Sequence, residues 1–240
     1  MIDQRVKSVP RLVTFLLILL SFQLALPDSS VASPQDELNL DWLTPQEREF
    51  LKQNPVIRIA PTPSYPPFEY WTPDNEFQGV VSSYLDRFES ELGIEFELIQ
   101  TKSWDENLDK LKKREIDAVS LIVPWTDRDY VSVSTPYISY PSMIFVRSNQ
   151  PGDLSLKDLA GKRVAVPDSY TGEAFLRRNY PEIIVVEASD PADGVRMLAT
   201  GEVDAFFGGA GVVAFIAQRE GFVNLRIAGE SDFQYQNGLG

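Results

Sequence analysis

The residues that could do chemistry in this chain are mainly carboxylates, because it contains no histidine and no cysteine. Two of them, Asp117 and Asp204, stand at matching places in two similar stretches, 114–119 and 201–206. A carboxylate pair can work as general acid and base when the two groups share a site. Each aspartate begins its own strand in a separate unit, so we assign both to helix ends or turns. Ser-His and Cys-His nucleophiles and the usual histidine or cysteine zinc sites are likewise excluded.

Aromatic rings crowd the stretch 61–73, which holds five prolines and four aromatic residues. Such a run predicts a stiff loop rather than a helix or a strand. We expect Tyr65 and Phe68 to face a bound molecule, as a stacking surface or a lid, or else to seal the core beneath them. Glu69 could meet an amine, but the expectation is a solvated carboxylate.

A second candidate site lies at 169–172, where Ser-Tyr-Thr-Gly precedes a predicted helix. Free backbone N–H groups at the start of a helix bind anions. Tyr170 and Thr171 are therefore candidate ligand-binding residues. Thr171 is expected to cap the helix, and it either does only that or also faces the ligand.

Strands and helices alternate along the chain, which predicts an α/β fold with mostly parallel sheets covered by helices. The order of strand, loop and helix occurs twice, so we expect two lobes that face each other. Ligands bind beyond the carboxyl ends of parallel strands. The predicted strands and helices are 56–60, 80–92 (helix), 95–100, 116–123, 143–146, 163–166, 172–179 (helix), 183–187, 191–199 (helix), 203–207, 211–219 (helix) and 225–228.

The first 32 residues have the pattern of a secretory signal peptide. A basic start precedes an apolar run at 12–26, and the small residues Ser30 and Ala32 predict cleavage after Ala32. The alternative is an uncleaved membrane anchor, but the apolar run is shorter than the ~20 residues that a membrane span needs. The sequence therefore predicts a periplasmic or otherwise extracytoplasmic protein.

The negative net charge of the chain indicates which classes of partner it does not bind. The whole chain carries a formal charge of −13, and the basic leader leaves the rest near −14. Nucleic acid and anionic membrane surfaces are therefore not expected as partners. The absence of cysteine means that an exported fold depends on packing alone, and no metal or other cofactor is expected.

The chain resembles the extracellular solute-binding proteins of family 3, the two-lobed Venus flytrap domains. The matching pieces stand in the family's order along about 55–240: Tyr-Pro-Pro-Phe-Glu-Tyr at 65–70, Ile-Asp-Ala at 116–118, Thr-Asp-Arg at 126–128, Thr-Pro-Tyr at 135–137, Asp-Leu-Ala-Gly-Lys-Arg-Val-Ala-Val at 158–166 and Gly-Glu-Val-Asp-Ala at 201–205. The preface, Leu-Thr-Pro-Gln-Glu at 43–47 and Asn-Pro-Val-Ile-Arg at 54–58, is similar to flytrap domains at the front of membrane sensor kinases.

The resemblance implies a periplasmic-binding-protein-like fold whose chain crosses to the second lobe and returns. We expect a signal peptide at 1–32, an N-terminal extension and helix at 33–54, lobe one at 55–147, lobe two at 148–232, and the start of the return at 233–240. The last strand and helices of lobe one would then be missing, as in a fragment of a longer protein.

The resemblance also implies ligand contacts for Thr126, Arg128 and Tyr137. In the family, an arginine at this place forks onto a ligand carboxylate, for which its planar paired donors are suited. The alternative is a surface arginine paired with a neighbouring aspartate. Gly208 and Gly209 stand where amino-acid binders commonly carry an acidic residue for the α-amine, which disfavours a standard α-amino-acid ligand.

Three functions are compatible with these features of the sequence. The first is an exported ligand-sensing domain of a membrane signalling protein. The second is the soluble substrate-binding subunit of an ABC transporter that works with a permease. The third is an enzyme on the same scaffold, which is disfavoured because no tight cluster of tuned side chains is visible. We expect a binding protein for a small molecule, one that carries a carboxylate, and not an enzyme.

Overall fold

The computed structural model describes residues 40–124, 129–167 and 170–240. The predicted signal peptide lies outside these residues. Helix α1 (Pro45–Gln53) begins the described chain, with Thr44 as its N-cap. The Thr44 hydroxyl accepts from the Glu47 N–H at 3.2 Å, and the Glu47 carboxylate accepts from the Thr44 N–H at 2.7 Å. This reciprocal pair satisfies two N–H groups that the helix cannot bond internally.

Lobe one is built on a three-stranded parallel sheet. Strand β1 (Val56–Ala60) lies between β5 (Glu95–Leu98) and β6 (Ala118–Val119). Helix α2 (Val80–Leu92) has the predicted bounds and ends at Gly93, which adopts a left-handed conformation with φ of 66°. Helix α3 (Trp104–Lys112) follows β5 and is capped by the Ser103 hydroxyl.

The proline-rich stretch differs from the loop that the sequence predicts. It forms a small antiparallel sheet of β2 (Ser64–Tyr65), β3 (Glu69–Trp71) and β4 (Phe77–Gln78). Proline cannot donate to a strand ladder, but the prolines here lie between the short strands, so pairing is possible.

Lobe two is built on a five-stranded mixed sheet of β7 (Ile138–Arg147), β8 (Arg163–Pro167), β9 (Ile184–Ala188), β10 (Ala205–Gly209) and β11 (Leu225–Asn237). The order of its strands is β11-β7-β10-β8-β9. Strand β8 pairs in parallel with β9 and β10, whereas β7 is antiparallel to β10 and β11. The parallel part agrees with the predicted fold class. The helices of this lobe are α4 (Thr171–Asn179), α5 (Pro191–Thr200) and α6 (Ala210–Glu220).

Strands β7 and β11 are much longer than predicted, with 10 and 13 residues. The sequence predicts only 143–146 and 225–228, because polar residues interrupt the apolar alternation in both. Strand β7 also lies inside the predicted span of lobe one, 55–147, yet it forms hydrogen bonds with strands of the lobe-two sheet. The chain returns at its C-terminal end, where Gly238 and Gly240 bond to the backbone beside β6.

The internal repeat has a structural basis in two aspartates. The Asp117 N–H donates to the Arg58 carbonyl at 2.8 Å, and its carboxylate accepts from the Arg58 backbone N–H and side chain at 2.8–2.9 Å. In lobe two, Asp204 does the same to the Arg163 backbone at 2.8 Å in both directions. Both aspartates therefore join neighbouring strand ends, and the structure confirms that they do not form a pair.

Within the described ranges, no helix combines the length and the apolar character that a membrane span requires.

Candidate functional site

Described residues that follow strands β1 and β5 of lobe one lie close to residues that follow β8 and β9 of lobe two. The loop after β1 carries the small β2–β4 sheet, which packs against lobe two. Within this contact, the rings of Tyr70 and Phe215 lie 5.4 Å apart. One hydrophobic cluster extends from Ile59 and Val81 of lobe one to Val195 and Phe206 of lobe two. The lobes therefore contact each other directly, and any ligand site between them is bounded by both.

Aromatic side chains fill the centre of this contact. The Tyr65 ring lies 5.7 Å from Phe68 and 5.5 Å from Tyr170, measured between ring centroids. Phe68 stacks on Tyr140 at 4.6 Å, and Tyr140 stacks on Tyr235 at 5.1 Å. These five rings, which we call the aromatic cluster, bring together three of the predicted site residues with two tyrosines of the long strands.

Two glycines make room for the aromatic cluster. A Cβ atom on Gly209 would lie 2.7 Å from the Tyr140 ring, and one on Gly172 would lie 2.5 Å from the Tyr235 hydroxyl. A cavity of about 10 Å³ lies against three of these rings, those of Tyr65, Tyr170 and Tyr235. That volume is roughly what one water molecule needs. The absence of a side chain at Gly209 therefore leaves room for a ring of this chain.

The tyrosines of the cluster keep their protons. Burial is the main cause that raises the pKa of Tyr65, Tyr140, Tyr170 and Tyr235 above the usual value. The Tyr65 and Tyr140 hydroxyls form a hydrogen bond of 2.6 Å. At neutral pH the cluster is therefore an uncharged surface with hydroxyl groups at its edges.

A second, larger cavity of about 440 Å³ lies beside the cluster. Such a volume falls in the range of small-molecule sites. Its lobe-one wall follows the carboxyl ends of β1 and β5, and its lobe-two wall follows β8 and β9. The lining residues are Pro63, Ser64, Lys102, Ser103, Trp104, Asp105, Tyr170, Ser189 and Asp190. We call it the interlobe cavity.

Glu69 is fully buried, contrary to the solvated carboxylate that the sequence predicts. One oxygen accepts from the Thr62 N–H at 2.8 Å, and the other accepts from the Ser120 hydroxyl. Burial raises the pKa of Glu69 to about 7, against the lowering effect of these hydrogen bonds. The side chain thus joins the loop after β1 to the segment after β6.

Asn107 holds the same loop from another side. This fully buried residue donates to the carbonyl oxygens of Ala60 and Pro61 at 3.3 and 3.0 Å, and accepts from the Thr101 hydroxyl. Together with Glu69, it determines where the lobe-one wall of the interlobe cavity lies, because Thr101 directly precedes the lining residues of that wall.

The remaining predicted site residues have different positions. The Tyr137 hydroxyl donates to the Ser120 carbonyl, and its ring contacts Tyr84 and Phe88 of α2, outside the aromatic cluster. Thr171 is the first residue of α4, while Tyr170 occupies the N-cap position without a side-chain cap, so the expected capping by Thr171 is wrong.

Thr126 and Arg128 lie outside the described residues. Within the described part of the chain, no group of three or more acidic side chains could hold a metal ion.

Sequence reasoning missed most of the residues that line the interlobe cavity, and it missed two tyrosines of the aromatic cluster. Trp104 has helical spacing with the core residues of α3, which favoured a purely structural role. The sequence predicts that Asp190 caps a helix, and the structure confirms that it is the N-cap of α5. Tyr140 and Tyr235 lie in polar stretches that gave no strand pattern. Only the alternate placement of Tyr140, Ser142 and Ile144 could have indicated an extended strand there.

Comparison with known proteins adds three findings. Residues 57–193 match the bacterial extracellular solute-binding proteins, family 3. The virulence sensor protein BvgS of Bordetella pertussis is 28% identical over 173 residues, which are 70% of this chain and 14% of that protein. The L-cystine-binding protein TcyJ of Escherichia coli is 28% identical over 158 residues, which are 65% of this chain and 59% of that protein.

Solved structures have the same fold. The crystal structure of the Bordetella pertussis BvgS periplasmic VFT2 domain has a TM-score of 0.73 and 25% identity, covering 82% of this chain and 83% of that one. An arginine-bound mutant of ArgBP from T. maritima has a TM-score of 0.66 at 22% identity, covering 80% of this chain and 90% of that one. The second likeness concerns the fold alone.

Proposed function

Because the chain belongs to the bacterial extracellular solute-binding proteins of family 3, we propose that it is a ligand-sensing domain that closes on a small molecule. It forms the sensing part of a transmembrane signalling protein, as its likeness to sensor proteins supports. The chain spans 14% of the length of those sensors. The presence of a signalling module in the full-length protein is therefore part of the proposal.

The observation that carries the proposal is the interlobe cavity, whose walls come from both lobes. A molecule held there contacts both walls only when the lobes are closed. Ligand binding shifts an open–closed equilibrium by the difference in affinity between the two states. Strands β7 and β11, which connect the lobes, are the elements where such a hinge motion would act.

The ligand that we propose is a small molecule with a carboxylate. Arg128 and Thr126 are its proposed partners in lobe one. In lobe two, the first N–H groups of α4 provide an anion-binding helix start, with Tyr170 and Thr171 beside them. Tyr65 and Phe68 shield it from water, and Tyr137 stays a predicted contact. Export by the segment 1–32 places the domain in the periplasm.

The alternative is a soluble substrate-binding subunit of an ABC transporter. The observation that favours it is the likeness to an L-cystine-binding protein and to a putative ABC transporter arginine-binding protein. The coding sequence beyond Gly240 separates the two functions. A transmembrane helix and a kinase module support sensing, whereas adjacent permease and ATPase genes without such a module support transport.

A thermal-shift screen of the purified chain against small acids, amines and peptides tests the binding function. A ligand at ~100 times its Kd stabilises the folded state by about 2.7 kcal/mol and raises the Tm. X-ray scattering should then show a more compact or more uniform particle. Arg128→Ala should abolish the shift caused by a carboxylate ligand, whereas Arg87→Ala, on the exposed face of α2, should leave it unchanged. A complete lack of binding would contradict the proposal.

A further inference from the structure

Glu69 is a fully buried carboxyl group that forms no ion pair within the described part of the chain. Its two oxygens contact the Thr62 N–H at 2.8 Å and the Ser120 hydroxyl. A hydroxyl group can donate or accept, so the contact with Ser120 is compatible with both protonation states of the carboxyl group. Burial raises the pKa of Glu69 to about 7, and this side chain therefore gains or loses its proton near neutral pH.

Three tyrosines are the titratable groups that surround Glu69. Tyr65 lies on β2, Tyr137 directly precedes β7, and Tyr170 is the N-cap of α4 in lobe two. The charge of Glu69 contributes to the raised pKa of each tyrosine, so all three stay neutral. No charged side chain is among the causes that shift the pKa of Glu69 itself. The ionised form of Glu69 is therefore not compensated by a cation of the residues that the structure describes.

Residues of lobe two help to keep water away from this group of side chains. The ring of Tyr170 lies 5.5 Å from that of Tyr65, and the Tyr65 hydroxyl bonds to Tyr140 of β7. Separation of the lobes breaks both contacts and admits water between the rings. Water stabilises the ionised form of a carboxyl group, so the pKa of Glu69 falls toward its ordinary value of 4.5 when the lobes open. The closed arrangement consequently holds the proton more tightly than the open one.

The two contacts of Glu69 also lie at positions that shape the cleft. Thr62 directly precedes Pro63 and Ser64, which line the interlobe cavity. Ser120 is the first residue of the buried segment 120–123 after β6. A change of charge at Glu69 therefore acts on both the cavity wall and the contact between the lobes.

We propose that Glu69 is a proton-dependent positioning residue, which favours the closed lobes when it is protonated and shifts the domain toward the open form when it is ionised. This inference rests on the proposed function, because it adds the proton to the signals that set the open–closed equilibrium. Closure is favoured most at a pH below the pKa of the open form, and the effect is lost as the pH rises through about 7. A difference of one unit between the open and closed pKa changes the ratio of the two forms about tenfold.

Spin labels on the full chain test the inference without any ligand. The chain has no cysteine, so two introduced cysteines are labelled specifically. Ser90→Cys on α2 and Ala174→Cys on α4 are exposed, uncharged positions, one in each lobe. Double electron–electron resonance measures the distance between the labels from pH 5 to 8. We expect the closed distance to dominate at pH 5, and the open-to-closed ratio to rise on the order of tenfold by pH 8.

Two variants of the labelled chain examine the source of this response. Glu69→Gln should keep the pH 5 distance distribution at every pH, because the amide does not titrate. Ser120→Ala removes a hydrogen bond that lowers the pKa of Glu69, so its transition should move to higher pH. Thermal unfolding at pH 5 checks that each variant is folded, and Ser120→Ala tests the inference even where Glu69→Gln is not.

Glu89→Gln is the matched control. Glu89 is a half-buried carboxylate of lobe one that accepts from the Phe96 N–H at 2.6 Å and does not line the interlobe cavity. This variant should respond to pH as the parent does. A distance that does not change with pH in the parent, or a response that persists in Glu69→Gln, overturns the inference. Because no ligand is present, the thermal-shift screen decides the binding function separately from these outcomes.

Discussion

The hydroxyl groups of Tyr65 and Tyr140 lie 2.6 Å apart and form a direct hydrogen bond between the lobes. Tyr65 belongs to the loop after β1, and Tyr140 belongs to β7 of the lobe-two sheet. The two residues are 75 positions apart in the sequence. This bond connects the aromatic cluster to the strand about which a hinge motion would occur.

Removing either hydroxyl should weaken the closed arrangement of the lobes. Tyr65→Phe and Tyr140→Phe should each lower the free energy of unfolding by about 1 kcal/mol, as for one partly buried hydrogen bond. The double variant should cost little more than a single one, because both remove the same bond. Urea unfolding measures this. Tyr84→Phe, at an exposed residue of α2, is the control, and additive losses would show that the two hydroxyls act independently.

Gly209→Ala should destabilise the chain because the new Cβ would lie 2.7 Å from the Tyr140 ring. Overpacking of this kind costs about 1–3 kcal/mol of unfolding free energy. Adding Tyr140→Leu should recover part of the loss by giving way to the methyl group. Gly211→Ala, whose Cβ would lie 3.8 Å from Pro67, should be neutral or stabilising in α6. A Gly209→Ala variant as stable as the parent would contradict the tight packing.

Glu69 should make stability depend on pH in an unusual direction for a carboxyl group. Its pKa is raised from 4.5 to about 7 in the folded state, so the folded state binds the proton more tightly than the unfolded chain. The stabilisation is fully present below pH 4.5 and is lost as the pH rises to about 7, by up to ~3 kcal/mol.

The measurement is the difference in unfolding free energy between the parent chain and Glu69→Gln, taken from pH 4 to 8. We expect this difference to fall as the pH rises, because the variant has no titrating group at this position. A difference that stays flat, or rises with pH, would show that Glu69 is ionised in the folded state at low pH.

The aspartates of the repeat should contribute unequally. Asp117 accepts from the side chain and the backbone of Arg58, and these bonds lower the pKa of Asp117. Asp117→Asn should cost about 1 kcal/mol, since the pair is partly exposed to solvent. Asp204→Asn should cost less, because the Arg163 side chain is 3.7 Å away.

The Asp117 contribution is present at neutral pH and is lost as the pH falls below the ordinary value of 3.8, through the lower folded value. Thermal unfolding between pH 2 and 7 measures it against Asp86→Asn as the control. Equal losses for the two aspartates would show that the side-chain bonds from Arg58 contribute nothing.

The sequence by itself determined the class of fold and many of the element positions. Helix α2 and strand β1 have the predicted bounds, because apolar spacing reports directly which face of a backbone element is buried. The repeat predicted equivalent places for Asp117 and Asp204, and the structure gives both aspartates the same backbone bonds to a neighbouring strand end. These features depend on residues that are close along the chain or on a pattern that is used twice.

Only the tertiary structure decided what surrounds those residues. Contacts between distant segments bury Glu69 and form the cavity beside Trp104. Such contacts also pack Tyr140 against Gly209 and Tyr235 against Gly172. Local periodicity carries no information about such contacts, because the same polar stretch can be a loop or a long strand depending on its partners. The chemistry of the cleft therefore depends on how the two lobes pack against each other, which only the tertiary structure shows.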